Sequence, residues 1–312
     1  MHLENCTAIT EILLVGLKPF QSFRIPMFVL CLACYLVICC ENLLIMYIIH
    51  SSVNLKAPMF FIIQSMSLWE VLYVTNVVPK LLNDIISERP TFTVTGCIVQ
   101  LQVFGIAGDT TSFHYVVMSY DRYLAVCHPL HYSSLVSNRV YLRVIIALGT
   151  FSVICSGVLA ILEGQLQFCS QSTIDHFYCD FAPFLDLSSS DTTYIRLLSS
   201  VMVVFIMWSI ALSVLVPYIF IIHAVLKISS ASGRKKTFST CSSHLIAFSL
   251  LFCIVLTVYS LPASVVTSQV GKTFTFAYFF WSPLVNPIIY CFRSREFRVV
   301  VLSKVKKVDR TF

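Results

Sequence analysis

The sequence predicts an all-α membrane protein, a seven-transmembrane helix bundle with an extracellular N-terminus and a cytoplasmic C-terminus. Three observations lead to this class. The 312 residues are 57% hydrophobic and only 12% charged, with a mean hydropathy of +0.84, whereas a soluble chain of this size needs more polar surface. The apolar residues form seven continuous runs, unlike the alternating segments of about 10 residues in a transmembrane barrel. Lysine and arginine are distributed unevenly between the segments that connect the runs.

Each run approaches the roughly 20 residues that a helix needs to cross the ~30 Å hydrocarbon core. The runs divide the chain into an N-terminal segment at 1–24, a seven-transmembrane domain at 25–292 and a tail at 293–312. The seven predicted spans, in chain order, are Ile25–Ile49, Pro58–Pro79, Cys97–Tyr120, Val144–Leu162, Leu197–Ile222, Leu245–Leu261 and Thr273–Phe292.

The charges give the orientation. Fifteen Lys and Arg residues fall on the side that holds the C-terminal tail and six on the other side, and an excess of positive charge marks the cytoplasmic side. The sequon at Asn5 then lies outside, which predicts glycosylation there. The net charge of +6 is explained by a membrane face beside anionic lipid rather than by nucleic-acid binding. After the seventh span, "FRSREFRVVVLSKVKK" alternates basic and apolar residues, which predicts a short amphipathic helix along the membrane.

Three acidic residues interrupt the apolar runs, namely Glu41, Glu70 and Asp109. A charge at the centre of a transmembrane helix costs at least ~2.5 kcal/mol, so each needs a partner, a cavity or a shifted pKa. Asn42 and Asn286 are the expected companions of Glu70 in a polar cluster between the first, second and seventh spans. Such a cluster serves either as contact between helices or as an ion- or proton-sensing site, and the residues leave both open.

The small residues on one face of the third span are compatible with either a cavity or close helix packing. Phe104, Gly108 and Ser112 follow at a spacing of four, and Asp109 borders them. Gly105 and Gly108 remove side-chain volume beside this face. The same small residues let helices approach each other closely, so both interpretations stand, and the cavity is the one expected.

Three motifs together resemble a known family. "MSYDRYLAVCHPLHY" follows the third span, "KTFSTCSSHL" enters the sixth and "SPLVNPIIY" closes the seventh. They are similar to those of rhodopsin-type (class A) G-protein-coupled receptors and, more narrowly, of odorant (olfactory) receptors. "APMFFIIQSMSL", which opens the second span, agrees. The resemblance covers essentially the whole chain.

The resemblance implies a switch at the cytoplasmic end of the third span. Asp121 would hold Arg122 at rest, and activation would free Arg122 to face a stimulatory, olfactory-type heterotrimeric G protein that raises cAMP. Such an exchange of partners suits a guanidinium at the interface. The residues that the resemblance assigns to this switch are Asp121, Arg122, Tyr123, Tyr218, His244, Asn286, Pro287 and Tyr290.

The resemblance also implies a pocket for small, mostly hydrophobic volatile ligands in the outer half of the bundle. In it, Asp109 would select an amine or a hydroxyl. The implied pocket residues are Phe104, Gly105, Gly108, Asp109, Ser112, Met202, Val203, Ile206, Phe252, Val255, Tyr259, Phe276 and Phe279.

The resemblance pairs Cys97 with Cys179 in a disulfide. The family commonly has a second pair within the same outer loop, but Ser189 stands where the partner of Cys169 is expected. Cys169 is therefore expected to be free, with Cys6 as the alternative partner.

No cofactor or metal is expected. Glu41 stands where the family usually has glycine and Glu70 where it has aspartate, so a sodium ion near Glu70 is left open but is not predicted. The outer segment "IDHFYCD" contains residue types that bind metals, but Cys179 is expected in the disulfide and no second histidine lies nearby.

The remaining alternatives are other classes of membrane protein. None of the HExxH, GxSxG or paired-aspartate motifs occurs, so an enzyme is not expected. A light-sensing receptor needs a lysine within the seventh span, and Lys272 lies at its outer edge. A transporter of small solutes, the main alternative, would predict internal repeats, which the two halves lack. The resemblance places the protein in the plasma membrane of olfactory cilia.

Overall fold

A computed structural model describes residues 9–16, 22–87, 90–169, 172–231, 234, 245–246, 248–250, 252–253, 256–257 and 269–308, with the backbone alone at 269, 290, 292–293, 305 and 307–308. In chain order the elements are β1 (Glu11–Leu14), α1 (Arg24–Ser51), a 3₁₀ turn (Val53–Leu55), α2 (Pro58–Ile86), β2 (Thr91–Thr93), α3 (Val94–Cys127), α4 (Tyr132–Leu135), α5 (Asn138–Glu163), β3 (Thr173–Ile174), α6 (Phe181–Asp186), α7 (Thr193–Leu226), α8 (Gln269–Arg293) and α9 (Arg295–Val308). The described positions between 245 and 257 are also helical.

Helices occupy six of the predicted spans in the described chain, and all six extend beyond their predicted bounds, furthest at the C-terminal ends of α2 and α3. The second span does not end at Pro79, because α2 continues to Ile86. Proline removes a single backbone donor, and buried Val77, Val78 and Leu81 keep the helix packed on both sides of it. The third helix also runs past its predicted end at Tyr120, to Cys127.

The helices α1, α2, α5 and α7 are each long and apolar enough to cross a membrane. The more polar α3 lies at the centre, where it packs against α2, α5 and α7. One of its polar side chains, His114, contacts the Thr110 carbonyl at 2.7 Å and the Ser65 hydroxyl of α2 at 2.9 Å. Contacts of this kind allow a polar side chain to be buried between helices.

A small three-stranded sheet, which the sequence analysis did not predict, lies at one end of the bundle. The strand order is β2-β1-β3, with β1 antiparallel to β2 and parallel to β3. Ile12 and Leu14 of β1 are buried beside Cys97. The backbone of Gly16 lies so close to His176 that a Cβ would stand 2.3 Å from the His176 carbonyl carbon, so only glycine fits there. The N-terminal strand thus covers the loop that contains β3.

The predicted helix after the seventh span is present as α9. Phe297 and Val300 face the core, whereas Val299 and Leu302 are exposed, which gives the helix two apolar surfaces. Lys304 donates a hydrogen bond of 2.7 Å to the Ser51 hydroxyl at the end of α1. The position of α9 against α1 and α8 marks the end of the bundle opposite the sheet.

Candidate functional site

A disulfide ties the loop between α5 and α7 to the start of α3. Cys97 is bonded to Cys179, with their Cα atoms 5.4 Å apart, which confirms the predicted pair. Gln100, one turn further along α3, accepts a hydrogen bond from the Cys179 amide at 3.0 Å and donates one to the Asn76 carbonyl at 3.1 Å. Asn76 donates in return to the Gln100 carbonyl at 2.9 Å. Together these bonds fix the loop to both α2 and α3.

Beneath this loop lies an aromatic cluster, composed of Tyr73, Phe104, Tyr178, Phe276 and Phe279. The Phe104 ring is 4.7 Å from that of Tyr73, 5.2 Å from that of Tyr178 and 6.4 Å from that of Phe279. Phe276 packs against the same buried residues. Three residues implied for the pocket, on α3 and α8, therefore lie together. Tyr73 and Tyr178 were not predicted as pocket residues, although "FYC" places an aromatic pair beside the disulfide cysteine.

Two other implied pocket residues of α3 lie towards α5. A Cβ on Gly105 would be 3.5 Å from the Ser156 hydroxyl, and Asp109 lies in the neighbourhood of Cys155 of α5. Ser112 donates its hydroxyl to the Gly108 carbonyl at 2.9 Å within its own helix. Position 105 therefore faces α5, and a Cβ there would make an ordinary van der Waals contact with it.

The remaining implied pocket residues are distributed along the bundle. A Cβ on Gly108 would be 3.8 Å from the Tyr73 ring, so this position borders the aromatic cluster. Ile206 is buried in a second cluster, against which Phe252 packs. Met202 and Val203 of α7 are partly buried. Positions 255 and 259 lie outside the described residues, so the implied contacts of Val255 and Tyr259 stay predictions.

Of the polar cluster predicted between α1, α2 and α8, the pairing of Glu70 with Asn286 is confirmed. Asn286 donates hydrogen bonds to Glu70 Oε1 at 2.8 Å and to the Ser282 hydroxyl at 3.0 Å. Among the described residues Asn42 makes no hydrogen bond to Glu70, but it donates to the Pro283 carbonyl of α8 at 3.2 Å. Oε2 of Glu70 is buried without a hydrogen-bond partner among the described residues. The cluster joins three helices midway along the bundle.

At the end of α3 away from the disulfide, Asp121 is 1% exposed. Two tyrosines donate hydrogen bonds to its carboxylate. Tyr132 donates to Oδ1 at 2.7 Å and Tyr141 donates to the same oxygen at 2.9 Å. Nε of Arg122 is 4.0 Å from the other oxygen, Oδ2, which is too far for a hydrogen bond. Burial and the Asp121 charge raise the pKa of Tyr132, so its hydroxyl stays protonated and donates.

Neighbouring residues connect this end of α3 to α7. Ser119 donates to the Val214 carbonyl of α7 at 3.0 Å, and Tyr218, one turn further along, is buried. The Tyr123 hydroxyl and His128 Nε2 are 3.0 Å apart. Pro287 lies within α8. His244, the Tyr290 side chain and the glycosylation position Asn5 lie outside the described residues.

A buried cation and a buried histidine lie over the aromatic cluster at the sheet end. Nζ of Lys272 at the start of α8 is 2.6 Å from Oδ1 of Asp175, and Lys272 is 3% exposed although Asp175 is open to solvent. His176 stacks on Phe177 at 4.5 Å, and neither of its ring nitrogens has a hydrogen-bond partner within the described chain. Burial lowers the pKa of His176, and the positive charge of Lys272 lowers it further. The negative charges of Asp180 and Asp175 act in the opposite direction but do not outweigh burial.

The prediction that Cys169 is free is wrong. Cys169 is disulfide-bonded, to a partner outside the described residues. Ser189 occupies the position beside it, where its hydroxyl accepts a hydrogen bond from the Cys169 amide at 3.2 Å. The adjacent Phe168 carbonyl accepts from the Ile9 amide at 2.9 Å, so this part of the loop lies against the N-terminal segment.

Comparisons with known proteins match nearly the whole chain to members of a single family. The family description "Olfactory receptor" matches residues 30–307. The chain is 36% identical to human olfactory receptor 10A7 over 316 residues, covering 99% of each chain. It is 33% identical to human olfactory receptor 6X1 over 297 residues and 35% identical to the chicken olfactory receptor-like protein COR4 over 292 residues, in both cases over 94% of each chain.

Proposed function

We propose, since this chain belongs to the olfactory receptor family, that it binds small, mostly hydrophobic volatile molecules and in response activates a stimulatory heterotrimeric G protein, which raises cAMP. One observation carries the proposal. An aromatic cluster lies under a disulfide-tied loop at one end of α3, and a buried carboxylate beside an arginine lies at the other end.

The outer end of the bundle offers the chemistry that an apolar ligand needs. Pockets for small molecules are mostly apolar and aromatic with a few polar groups that orient the ligand. Phe104, Phe276 and Phe279 supply aromatic surface from two helices. Rings in such a cluster can separate to admit a ligand of similar shape, because aromatic contacts of about 0.5–1.5 kcal/mol each are readily exchanged for contacts with the ligand.

The inner end offers a group that a signalling protein can bind. From Phe104 to Asp121 the helix rises roughly 25 Å at about 1.5 Å per residue, so α3 joins the two ends as one rigid element. Arg122 has 15% of its side chain exposed and is not hydrogen-bonded to its neighbour. A change in the packing of α3 against α7 would alter how Arg122 is presented to a G protein.

Members of this family are multi-pass membrane proteins. We place segment 1–24 outside the cell, domain 25–292 in the plasma membrane and tail 293–312 in the cytoplasm. The excess of Lys and Arg on the tail side supports this orientation. Disulfides form in oxidising compartments, and the Cys97–Cys179 bond lies at the same end as the N-terminal strand. In olfactory neurons the receptor would act in the sensory cilia, without enzymatic activity of its own.

A cAMP reporter screen tests the proposal. Cells that express the chain are exposed to a chemically diverse panel of volatiles, with Arg122→Ala as the control and surface labelling to match expression. We expect at least one volatile to raise cAMP through the native chain and none through Arg122→Ala. Equal responses from both chains would remove Arg122 from the mechanism, and transport of a solute without any cAMP response would favour the transporter.

A further inference from the structure

A lysine lies on the same helix face as the aromatic cluster, one turn closer to the start of α8. Lys272 and Phe276 are four residues apart in α8, and residues at this spacing are neighbours on a helix surface. The Phe276 ring is 5.5 Å from the ring of Phe177 in the loop between α5 and α7, and the ring of His176 stacks on Phe177 at 4.5 Å. Lys272 therefore lies where this loop, the start of α8 and the aromatic cluster meet.

The counterion of Lys272 is an acid that solvent also accommodates. Nζ of Lys272 is 2.6 Å from Oδ1 of Asp175, and the two side chains are 4% and 58% exposed respectively. A buried ammonium requires an anion beside it, because its removal from water is costly without one. The Asp175 carboxylate has no such requirement, since water hydrates it when it turns away from the lysine. An anion of another origin therefore satisfies Lys272 as well as Asp175 does.

Two further polar groups lie beside this ion pair. His176 is fully buried, and its two ring nitrogens have no hydrogen-bond partner in the described part of the chain. The charge of Lys272 contributes to the lowered pKa of His176, so the two side chains are close together. A neutral imidazole has one N–H to donate. Asp180, the other acid near His176, accepts a hydrogen bond of 3.4 Å from the Tyr178 hydroxyl, so it already has a partner.

We propose that Lys272 determines specificity for small carboxylic acids, whose carboxylate displaces that of Asp175 from Nζ. The imidazole N–H of His176 donates to the second carboxylate oxygen of the ligand, and the apolar chain of the acid lies against Phe276 and Phe177. One carboxylate replaces another, so the charge around Lys272 does not change and no covalent bond is made. This inference rests on the proposed function, because it names the ligand class of the same pocket.

The test compares acids with neutral molecules of equal length. Butanoate, hexanoate and octanoate are set beside the corresponding alcohols and methyl esters, with purified full-length receptor in lipid nanodiscs. A ligand that binds only the folded receptor raises its Tm with increasing concentration, and this dependence gives the Kd. Hydrogen bonds to charged groups are roughly twice as strong as bonds between neutral groups. We therefore expect the Kd of the best acid to be about tenfold or more below that of its alcohol.

Two substitutions at the ion pair should act in opposite directions. Lys272→Met keeps an apolar side chain of similar length but removes the cation, so the preference for acids over alcohols should disappear. Asp175→Asn removes the competing carboxylate, so the same acid should bind roughly tenfold more tightly. The acid should also raise the Tm of Asp175→Asn more than that of the native chain, because it restores the missing anion. A pair that only ties the loop to α8 would not produce these opposite effects.

Lys80→Met is the matched control. Lys80 pairs with Asp84 within α2 and lies 5.1 Å from the centre of the Phe92 ring of β2, so it is a second paired lysine at the same end of the bundle. Its substitution should leave the ratio of acid affinity to alcohol affinity unchanged. A loss of this ratio equal to that in Lys272→Met would overturn the inference, because a general effect of positive charge would then explain the preference.

Three other results would overturn the inference and leave the proposed function intact. The native receptor would bind the acids no more tightly than the alcohols, Lys272→Met would keep the preference, or Asp175→Asn would weaken acid binding as Lys272→Met does. Acid binding that depends on Lys272 but raises no cAMP in cells would instead support the assigned ligand class and contradict the proposed function alone.

Discussion

Gln100 connects the disulfide-tied loop to two helices, and its removal should destabilise the end of the bundle that holds the sheet. In Gln100→Ala the Cys179 amide loses its acceptor and the Asn76 carbonyl loses its donor. Gln100 is 3% exposed, so water does not freely replace these bonds. Each net hydrogen bond contributes about 1 kcal/mol, and a buried group left without a partner costs about 1–3 kcal/mol. We expect a total loss of roughly 2–4 kcal/mol.

The assay is thermal unfolding of detergent-purified receptor, followed by the accessibility of its buried cysteines to a fluorescent maleimide. In folded chains of about 150–250 residues a loss of 1 kcal/mol lowers the Tm by about 2–4 °C, and on that scale Gln100→Ala should unfold roughly 4–16 °C below the native chain. Gln102→Ala is the matched control. Within the described part of the chain, the Gln102 side chain makes one hydrogen bond, to Glu163 at 2.9 Å, and none to the loop. A shift below about 2 °C, or one equal to that of Gln102→Ala, would refute the reasoning.

The remaining predictions concern charged and polar groups. Burial lowers the pKa of His176 below its ordinary 6.5, so at acidic pH the unfolded chain binds a proton that the folded chain does not. The contribution of neutral His176 to stability is therefore fully present above pH 6.5 and is lost as the pH falls below it. His176→Phe should remove this pH dependence of the Tm. Asp175→Asn, which leaves Lys272 buried without its carboxylate, should lower the Tm more than Lys272→Met, and equal shifts would contradict the pairing. Asn286→Leu should lower the Tm by several degrees, and by much less in a Glu70→Leu background, because the two side chains form one hydrogen bond; additive shifts would count against it.

The long helices could be predicted because a helix that crosses the hydrocarbon core needs about 20 consecutive apolar residues, and such runs are visible in the sequence. Their ends could not be predicted in the same way. The continuation of α2 past Pro79 depends on packing against neighbouring helices. The helical position of Asp121 and Arg122 depends on partners more than ten residues further along the chain.

The short strand β1 shows a second limit. "EILL" is too short to be distinguished by its pattern, and its pairing with β2 and β3 joins segments about 80 and 160 residues away in sequence. Such contacts are decided by tertiary structure. The bonding of Cys169 was missed for the same reason, since Ser189 alone suggested a free thiol.

The candidate site was predictable in its residue types and only partly in its geometry. The pairing of Glu70 with Asn286 followed from the cost of a buried acid, which requires a partner. For Asp109 a partner, a cavity or a shifted pKa was equally expected, but the placement of this residue near α5 depends on the rotation of α3, which a short polar face does not define. The two tyrosines on Asp121 come from a turn and a helix start, where sequence spacing carries no information about distance.

The most direct test of the account measures nucleotide exchange on a stimulatory G protein by the purified receptor, with and without a volatile that is active in the cell screen. The account predicts that the volatile accelerates exchange by the native chain and not by Arg122→Ala. If the volatile binds yet exchange is equally fast in its absence, or if Arg122→Ala responds like the native chain, the link between the two ends of α3 is wrong.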